Sequence, residues 1–147
     1  GGNIVTFGKK SGGDPWVIGI QDPFDSRGKP IGTVEFSGGA VVTSGIYERY
    51  FERNGIRYHH ILDPVTGFPV ENEIVSISII ADRGIVADVF STIAFALGVT
   101  KGIGLLETIP SLDGIFITKE REVYITSGIK ETFLVTNEEY FLRSLDN

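Results

Sequence analysis

The feature that most constrains the fold of this chain is a long apolar stretch over residues 84–97, with the sequence GIVADVFSTIAFAL. It contains no proline, and its polar members are Asp88, Ser91 and Thr92. Strands usually have about five or six residues, so the length and alanine content of this stretch predict a buried helix.

The boundaries of this helix and the positions of further helices follow from capping and breaking residues. Asp82 is positioned to cap the start of the first helix, and Gly98 to end it. A shorter helix is predicted over residues 101–109, where Pro110 stops it. A terminal helix is predicted over residues 138–145.

Short strands are predicted over most of the remaining chain, where β-branched and aromatic runs are bounded by turn residues. The strand over residues 74–81 is predicted to be half-buried, because Ser76 and Ser78 alternate with isoleucine and valine. Asn54-Gly55 predicts a hairpin turn between two other strands. This order of elements is typical of an α+β domain whose mainly antiparallel sheet is packed by two or three helices. The predicted strands cover residues 3–7, 16–21, 32–36, 40–44, 47–52, 56–62, 74–81, 114–118, 122–126 and 130–135.

Composition and charge exclude several classes of protein. With 147 residues the chain has the length of one domain, and its net charge of −6 argues against a nucleic-acid binder, whose affinity comes largely from phosphate neutralisation. The absence of cysteine excludes disulfides and thiolate chemistry. No run of about 18 apolar residues is present, so no membrane span is predicted. The chain starts at Gly1 without a methionine, so we expect it to be the interior of a longer chain.

The first candidate site lies on the predicted apolar helix. Asp88 and Thr92 are one turn apart on the same face, and Ser91 lies beside them. A carboxylate there is costly to bury without a cation, a set of hydrogen-bond donors or a water-filled cleft. The carboxylate and hydroxyl suit Mg²⁺, whose other ligands would be waters and phosphate oxygens. An equally good interpretation needs no metal. In it, Asp88 accepts hydrogen bonds from backbone N–H groups of a loop, and the Thr92 hydroxyl donates to a carbonyl of its own helix.

The second candidate site is the segment over residues 58–67, YHHILDPVTG. Side chains alternate along a strand, so His59 and His60 point to opposite faces, with His59 on the face of Ile61. The turn that begins at Asp63 offers backbone N–H groups for an anion. A strand that ends in a turn, with one histidine solvated and the other packed, explains the same residues without a ligand.

The third candidate site is the small-residue bend at Ser44 and Gly45, which leads into the tyrosine-containing run over residues 47–50. Small residues allow the backbone to approach a ligand closely, and the tyrosines would stack on its rings. A β-bulge beside core aromatic residues is an equally good interpretation.

Together these stretches resemble a known family over residues 1–110. The strings GGNI, PWVIGIQDP, VVTSGIYERYFERNGIRYHHILDPVTGFPV and IVSISIIADRGIVADVFSTIAFALG occur in this order. They are similar to the second half of the ApbE family of flavin transferases. The resemblance implies an ApbE-like, T-fold-related architecture. It also implies that residues 1–147 form the C-terminal part of the transferase domain, whose N-terminal half is absent.

The resemblance also assigns residues. Asp88 and Thr92 match the family's metal-binding aspartate and threonine, and Ser91 falls where some members have a second acidic ligand. His60 and Ile61 match the pair beside the flavin nucleotide, followed by Asp63 in the turn. Together with the bend at Ser44 and Gly45, these residues are expected to bind the flavin nucleotide, and His60 is the candidate catalytic residue. Ile46 replaces the aspartate that commonly precedes the tyrosine in this family.

The activity that the resemblance implies is Mg²⁺-dependent. FAD is the substrate, FMN is attached to a threonine of an acceptor flavoprotein, and AMP is released. The alternatives are an FAD pyrophosphatase, which uses water in place of the threonine, and a non-catalytic FAD-binding module. The family also implies export to the outer face of the cytoplasmic membrane or the periplasm, with a lipid anchor upstream. Association with the absent N-terminal half or with a second copy is expected.

Overall fold

A computed structural model describes residues 2–26, 28–47, 50–53 and 56–145. Within these ranges the chain forms eleven strands, one α-helix and one short 3-10 helix at Ser127–Ile129. The fold is α+β with mainly antiparallel pairing, as predicted. The helix is α1 (Gly84–Leu106), and the strands are β1 (Asn3–Thr6), β2 (Trp16–Gln21), β3 (Pro30–Phe36), β4 (Gly39–Gly45), β5 (Tyr50–Arg53), β6 (Ile56–His59), β7 (Ile74–Ala81), β8 (Leu112–Thr118), β9 (Glu122–Ile125), β10 (Phe133–Val135) and β11 (Phe141–Arg143).

Three layers make up the fold. The central layer is a six-stranded sheet in the order β1-β4-β7-β8-β9-β11, and all its neighbouring strands are antiparallel except β9 and β11. Helix α1 packs on one face of this sheet, against β4, β7 and β8. A three-stranded sheet, β10-β3-β2, covers the other face and shares a second apolar core with it.

Strand β7 lies in the middle of the large sheet and is buried along its whole length. The prediction of a half-buried strand is therefore wrong. Ser76 and Ser78, which suggested a solvated face, are 0% and 1% exposed. The Ser78 hydroxyl lies 2.7 Å from Thr43 Oγ1 on β4, so a neighbouring strand takes the place of water.

Helix α1 confirms the predicted helix over 84–97, but its caps and its burial differ. The residue that precedes the helix is Arg83, which makes no side-chain cap, so Asp82 does not cap it. Gly98, with φ 79° and ψ 174°, interrupts the helix where its end is predicted. The second predicted helix continues from this break to Leu106, three residues short of the predicted end.

The break at Gly98 is held by two polar residues that precede β7. Asn72 Nδ2 donates to the carbonyl of Phe95 over 2.6 Å, and Val99 N donates to Glu73 Oε1 over 2.7 Å. These bonds satisfy backbone groups that a helix end leaves without partners. The break is therefore a defined feature and not a frayed end.

One side of α1 is exposed, so the prediction of a buried helix holds only for the side that faces the sheet. Four apolar side chains one turn apart form what we call the apolar stripe: Ile85, Val89, Ile93 and Leu97, which are 62%, 47%, 39% and 39% exposed. In length and composition α1 also meets the requirement for crossing a membrane, as many core helices of globular proteins do.

The predicted hairpin is confirmed as far as the structure describes it, whereas the predicted terminal helix is wrong. Strands β5 and β6 pair as the predicted hairpin, but its Asn54-Gly55 turn lies outside the described residues. The prediction of a terminal helix over 138–145 is wrong, because β11 lies in this segment and pairs with β9. Tyr140 anchors this segment by donating its hydroxyl to buried Asp22, and that distant contact favours an extended strand over a local helix.

Candidate functional site

A cleft of about 1080 Å³ lies beside the segment that follows β6, between the start of β7, α1 and the turn from β8 to β9. Of the residues predicted to form the site, Asp63 lines it. Carboxylates of Asp63, Glu71, Glu73 and Glu120 line the cleft together with Lys119. Because these charges are mainly negative, an anionic ligand would enter more readily together with a cation.

Asp88 and Thr92 lie on the exposed side of α1, next to the apolar stripe. Their positions one turn apart place a carboxylate and a hydroxyl side by side, as predicted. Asp88 is exposed to solvent in this chain and is not buried. Its charge therefore needs no internal partner here, unlike the buried carboxylate that the apolar sequence suggested.

Ser91 lies on the opposite, buried side of α1 and is 0% exposed. Its hydroxyl donates to the carbonyl of Asp88 over 2.8 Å and lies 2.8 Å from Ser44 Oγ on β4. The structure thus joins two predicted site residues, Ser44 and Ser91, in a contact between helix and sheet. This contact attaches the turn of α1 that carries Asp88 to the sheet.

Gly45, which ends β4, is covered by its own chain. A Cβ atom at this position would collide with the ring of Tyr47. The close approach that the small residue permits is made by this tyrosine ring. Gly45 is buried and Ser44 is half-buried.

The two adjacent histidines point to opposite faces, as predicted. His59 is buried together with Ile61, whereas His60 is exposed. Ile61 is only 3% exposed and belongs to the core beneath α1. Of the pair His60 and Ile61, the histidine is therefore the one with access to a ligand.

The turn at Asp63 satisfies its own backbone N–H groups. Asp63 Oδ1 accepts hydrogen bonds from the N–H groups of Val65 and Thr66 at 2.7 and 3.1 Å. Gly67 N donates to the carbonyl of Asp63, and Phe68 N to Thr66 Oγ1, at 2.8 and 3.3 Å. The prediction that these groups are free to bind an anion is not supported, because the aspartate already serves as the anion of the turn.

The donors on α1 fit Mg²⁺ in part. Asp88 and Thr92 provide two exposed hard oxygen donors, which suit this ion when waters and phosphate oxygens complete the coordination. Ser91 is turned inward and bonded, so it does not belong to this set. Among the described residues no group of three or more His, Cys, Asp or Glu side chains could hold a metal by itself. The residues fit a partial site.

His59 and the pair Asn72 and Glu73 are structural residues of this region that the sequence analysis did not assign. Burial is the main cause that lowers the pKa of His59, and the nearby His60 and Lys119 add to the effect, while a hydrogen bond to Val70 opposes it. The available signal was the position of Asn72 and Glu73 directly before a buried strand, where polar side chains often cap neighbouring elements.

Comparison with known proteins gives consistent matches. The model of the ApbE family matches residues 1–116. The FAD:protein FMN transferase of Klebsiella pneumoniae is 42% identical over 140 residues, which are 95% of this chain and 42% of that protein. The crystal structure of the ApbE protein of Thermotoga maritima has a TM-score of 0.76 at 35% identity, over 87% of this chain and 41% of that one.

A second solved structure, the flavin transferase ApbE of Vibrio cholerae, has a TM-score of 0.72 at 31% identity. It matches 90% of this chain and 42% of its own. The chain thus spans about two-fifths of the length of the curated relatives and solved structures it matches.

Proposed function

The chain belongs to the ApbE family, and we propose that residues 1–147 supply the C-terminal part of an FAD:protein FMN transferase. In the proposed reaction FAD is cleaved at its pyrophosphate, FMN is attached to a threonine of an acceptor flavoprotein, and AMP leaves. The observation that carries this proposal is the 42% identity, over 95% of the chain, with a relative of that name. Export and a lipid anchor upstream remain part of the proposal on the family resemblance alone.

Asp88 and Thr92 are the residues that would hold Mg²⁺. Both side chains are exposed and lie one turn apart on a helix that is fixed to the sheet through Ser91 and Ser44. The ion would supply charge neutralisation at the pyrophosphate, whose negative charge otherwise repels a nucleophile. The attachment through Ser91 and Ser44 would hold the turn that carries the Asp88 carboxylate in a fixed position.

The loop after β6 would bind the FMN side of the substrate. The acceptor hydroxyl oxygen forms a bond to the phosphorus of FMN while the bond from that phosphorus to the AMP phosphate oxygen breaks. We assign to exposed His60 the role of accepting the hydroxyl proton or of contacting a phosphate. Asp63 would contribute by fixing the turn that follows. Ile61 would contribute by its place in the core beneath α1, Ser44 by its contact with Ser91, and Gly45 by leaving room for the ring of Tyr47.

The apolar stripe supports the view that the site is completed from outside this chain. Four exposed apolar side chains flank Asp88 and Thr92, and a contiguous exposed apolar surface often marks a site of interaction. The relatives are more than twice as long as the matched region. We therefore expect the rest of the protein, or an associated copy, to cover this side of α1.

Asp88→Ala is the variant that tests the metal assignment. In the protein that carries this chain, the substitution is expected to abolish Mg²⁺-dependent release of AMP and formation of covalent flavin. AMP is measured chromatographically, and covalent flavin is measured by fluorescence of the denatured acceptor on a gel. Glu131→Ala is the matched control, because it removes an exposed carboxylate from the loop before β10. Undiminished FMN transfer by Asp88→Ala would contradict the metal assignment.

The same assay separates the proposed function from its alternatives. Covalent flavin on the acceptor, with an equal amount of AMP, supports the transferase. AMP and free FMN without covalent flavin indicate a pyrophosphatase and contradict the transfer step. FAD that remains bound but uncleaved, with no AMP, indicates a flavin-binding module and contradicts both reactions.

A further inference from the structure

His59 closes the loop that carries His60 and Asp63. It is 9% exposed at the end of β6, and its Nε2 atom lies 3.0 Å from the carbonyl oxygen of Val70. Because a carbonyl oxygen only accepts hydrogen bonds, Nε2 must carry the proton and donate it. The ring thus joins the residue before the loop to the residue after it.

The other ring nitrogen of His59 fixes its state. Nδ1 is buried and has no hydrogen-bond partner among the described residues. A proton on this atom would bury a cation with an N–H group that nothing accepts, which is costly. Burial accordingly lowers the pKa of His59. The side chain is therefore a neutral donor with one tautomer and one orientation.

Backbone hydrogen bonds continue the closure along the loop. Val70 N donates to the carbonyl of Ile61 over 3.0 Å, next to the His59 bond. Asp63 N donates to the carbonyl of Phe68 over 2.8 Å. With the self-capped turn of Asp63, these bonds make the loop a compact unit whose base is joined by the side chain of His59.

The base of the loop is attached to α1 at Phe95. The rings of His59 and Phe95 meet edge to face, with centroids 5.9 Å apart and planes at 69°. Phe95 is 0% exposed, and its carbonyl accepts the 2.6 Å hydrogen bond from Asn72, two residues after Val70. Phe95 also lies one turn beyond Thr92 on α1. The loop and the helix of the proposed metal residues thus share a common attachment.

We propose that His59 is a positioning residue that holds the loop of His60 and Asp63 in place relative to Asp88 and Thr92 on α1. The proposal rests on the proposed function only for its kinetic part. We expect His59 to act through the donated hydrogen bond to Val70 and the ring contact with Phe95. Of these two contacts, the hydrogen bond determines where the loop lies, because it is directional.

Two substitutions separate the hydrogen bond from the ring contact. His59→Phe keeps an aromatic ring against Phe95 and removes the donor. His59→Gln removes the ring but places an amide N–H at about the distance of Nε2, so it can still donate to Val70. Leu134→Ala is the matched control, because this apolar side chain on β10 is 63% exposed and lies outside both the loop and α1.

The kinetic test is FMN transfer by the protein that carries this chain. We expect His59→Phe to lower kcat by about 10- to 100-fold, since small misplacements of reacting groups have effects of this size. KM for FAD should change by less than about threefold, because the loss concerns the transition state. The kcat of His59→Gln and of Leu134→Ala should stay within about threefold of the unmutated value. Equal losses in His59→Gln and His59→Phe, or an unchanged kcat in His59→Phe, would overturn the proposal.

The structural test is amide hydrogen exchange in the 147-residue chain. In His59→Phe, the N–H groups of Asp63, Gly67 and Val70 should exchange faster, while those of β7 and β8 keep their protection. Unchanged protection of the loop, or a loss that extends to both strands, would contradict a positioning role. If the unmutated protein neither transfers FMN nor releases AMP, the proposed function has failed, and this measurement alone decides for or against the role of His59.

Discussion

Replacing Gly98 by alanine should destabilise the chain, whereas the same replacement at Gly104 in the same helix should stabilise it. Gly98 has φ 79° and ψ 174°, a region essentially restricted to glycine that costs other residues about 1–3 kcal/mol. A Cβ atom there would lie 3.2 Å from Glu73 Oε1, the carboxylate oxygen that binds Val99 N.

At Gly104 a Cβ atom would have no heavy atom within 4 Å, and the residue is exposed in the helix. Alanine there should raise the free energy of unfolding by about 0.5–1 kcal/mol, because it lowers the entropy of the unfolded chain and favours the helix. The two variants gain the same methyl group in the same element. Their free energies of unfolding should differ by about 1.5–4 kcal/mol if the backbone angles at Gly98 are those described.

Urea denaturation followed by circular dichroism and by the fluorescence of Trp16 measures this difference. With a slope of about 2 kcal/mol per M, the midpoints of the two variants should be separated by about 0.75–2 M. Coincident transitions from both probes are required for this conversion. A Gly98→Ala variant that unfolds at the same or a higher urea concentration than the unmutated chain would refute the reasoning, and so would an equal loss in Gly104→Ala.

Two further predictions concern buried titratable groups. Tyr140→Phe removes a donor from Asp22, which is 3% exposed, and should lower the free energy of unfolding by about 1–3 kcal/mol in urea denaturation at pH 7. Burial and the bond to Asp22 raise the pKa of Tyr140 above its usual 10.0, so the unmutated chain should lose stability as the pH rises above 10, and more steeply than the variant. The pKa of His59 is lowered, chiefly by burial, so its unfolded form binds more protons below pH 6.5. Stability should therefore fall as the pH drops below that value, and less steeply in His59→Gln; equal slopes in the two chains would contradict a neutral buried His59.

The sequence predicts α1 and its break well because both depend on local properties. An apolar stretch of that length has few alternatives to a helix, and Gly98 adopts backbone angles that other residues avoid. The opposite burial of His59 and His60 is local in the same sense, since an extended backbone places neighbouring side chains on opposite sides, here at the residue where β6 ends and at the next one. These features therefore need no knowledge of the rest of the fold.

The errors concern residues whose state is set by distant partners. The sequence of β7 has the pattern of a half-solvated strand. In the fold, however, Thr43 on β4 lies 2.7 Å from Ser78 and replaces the water that the pattern suggests. The segment after Glu138 has the composition of a helix, but Tyr140 reaches Asp22 near the opposite end of the sequence and the segment pairs with β9. Neither contact can be inferred from the pattern of residues in a short segment of the sequence.

For the candidate site residues, the spacing on α1 was predictable from the sequence, but which side chains face the sheet was not. The spacing of Asp88 and Thr92 places both on one face, and the structure agrees. Ser91 turns inward because Ser44 on β4 lies within 2.8 Å of it, a neighbour that the helix sequence does not reveal. His59 took its position from Val70 and Phe95 in the same way.

The apolar stripe has a consequence for the strength of the charges beside it. While Ile85, Val89, Ile93 and Leu97 face water, the carboxylate of Asp88 lies in a medium of high dielectric constant. Two unit charges 4 Å apart interact there by about 1 kcal/mol, against about 4 kcal/mol at an effective dielectric constant of 20. A segment that covers these four side chains would therefore do more than bury apolar surface. By expelling water from around Asp88 it would strengthen every ionic contact made at this end of the helix.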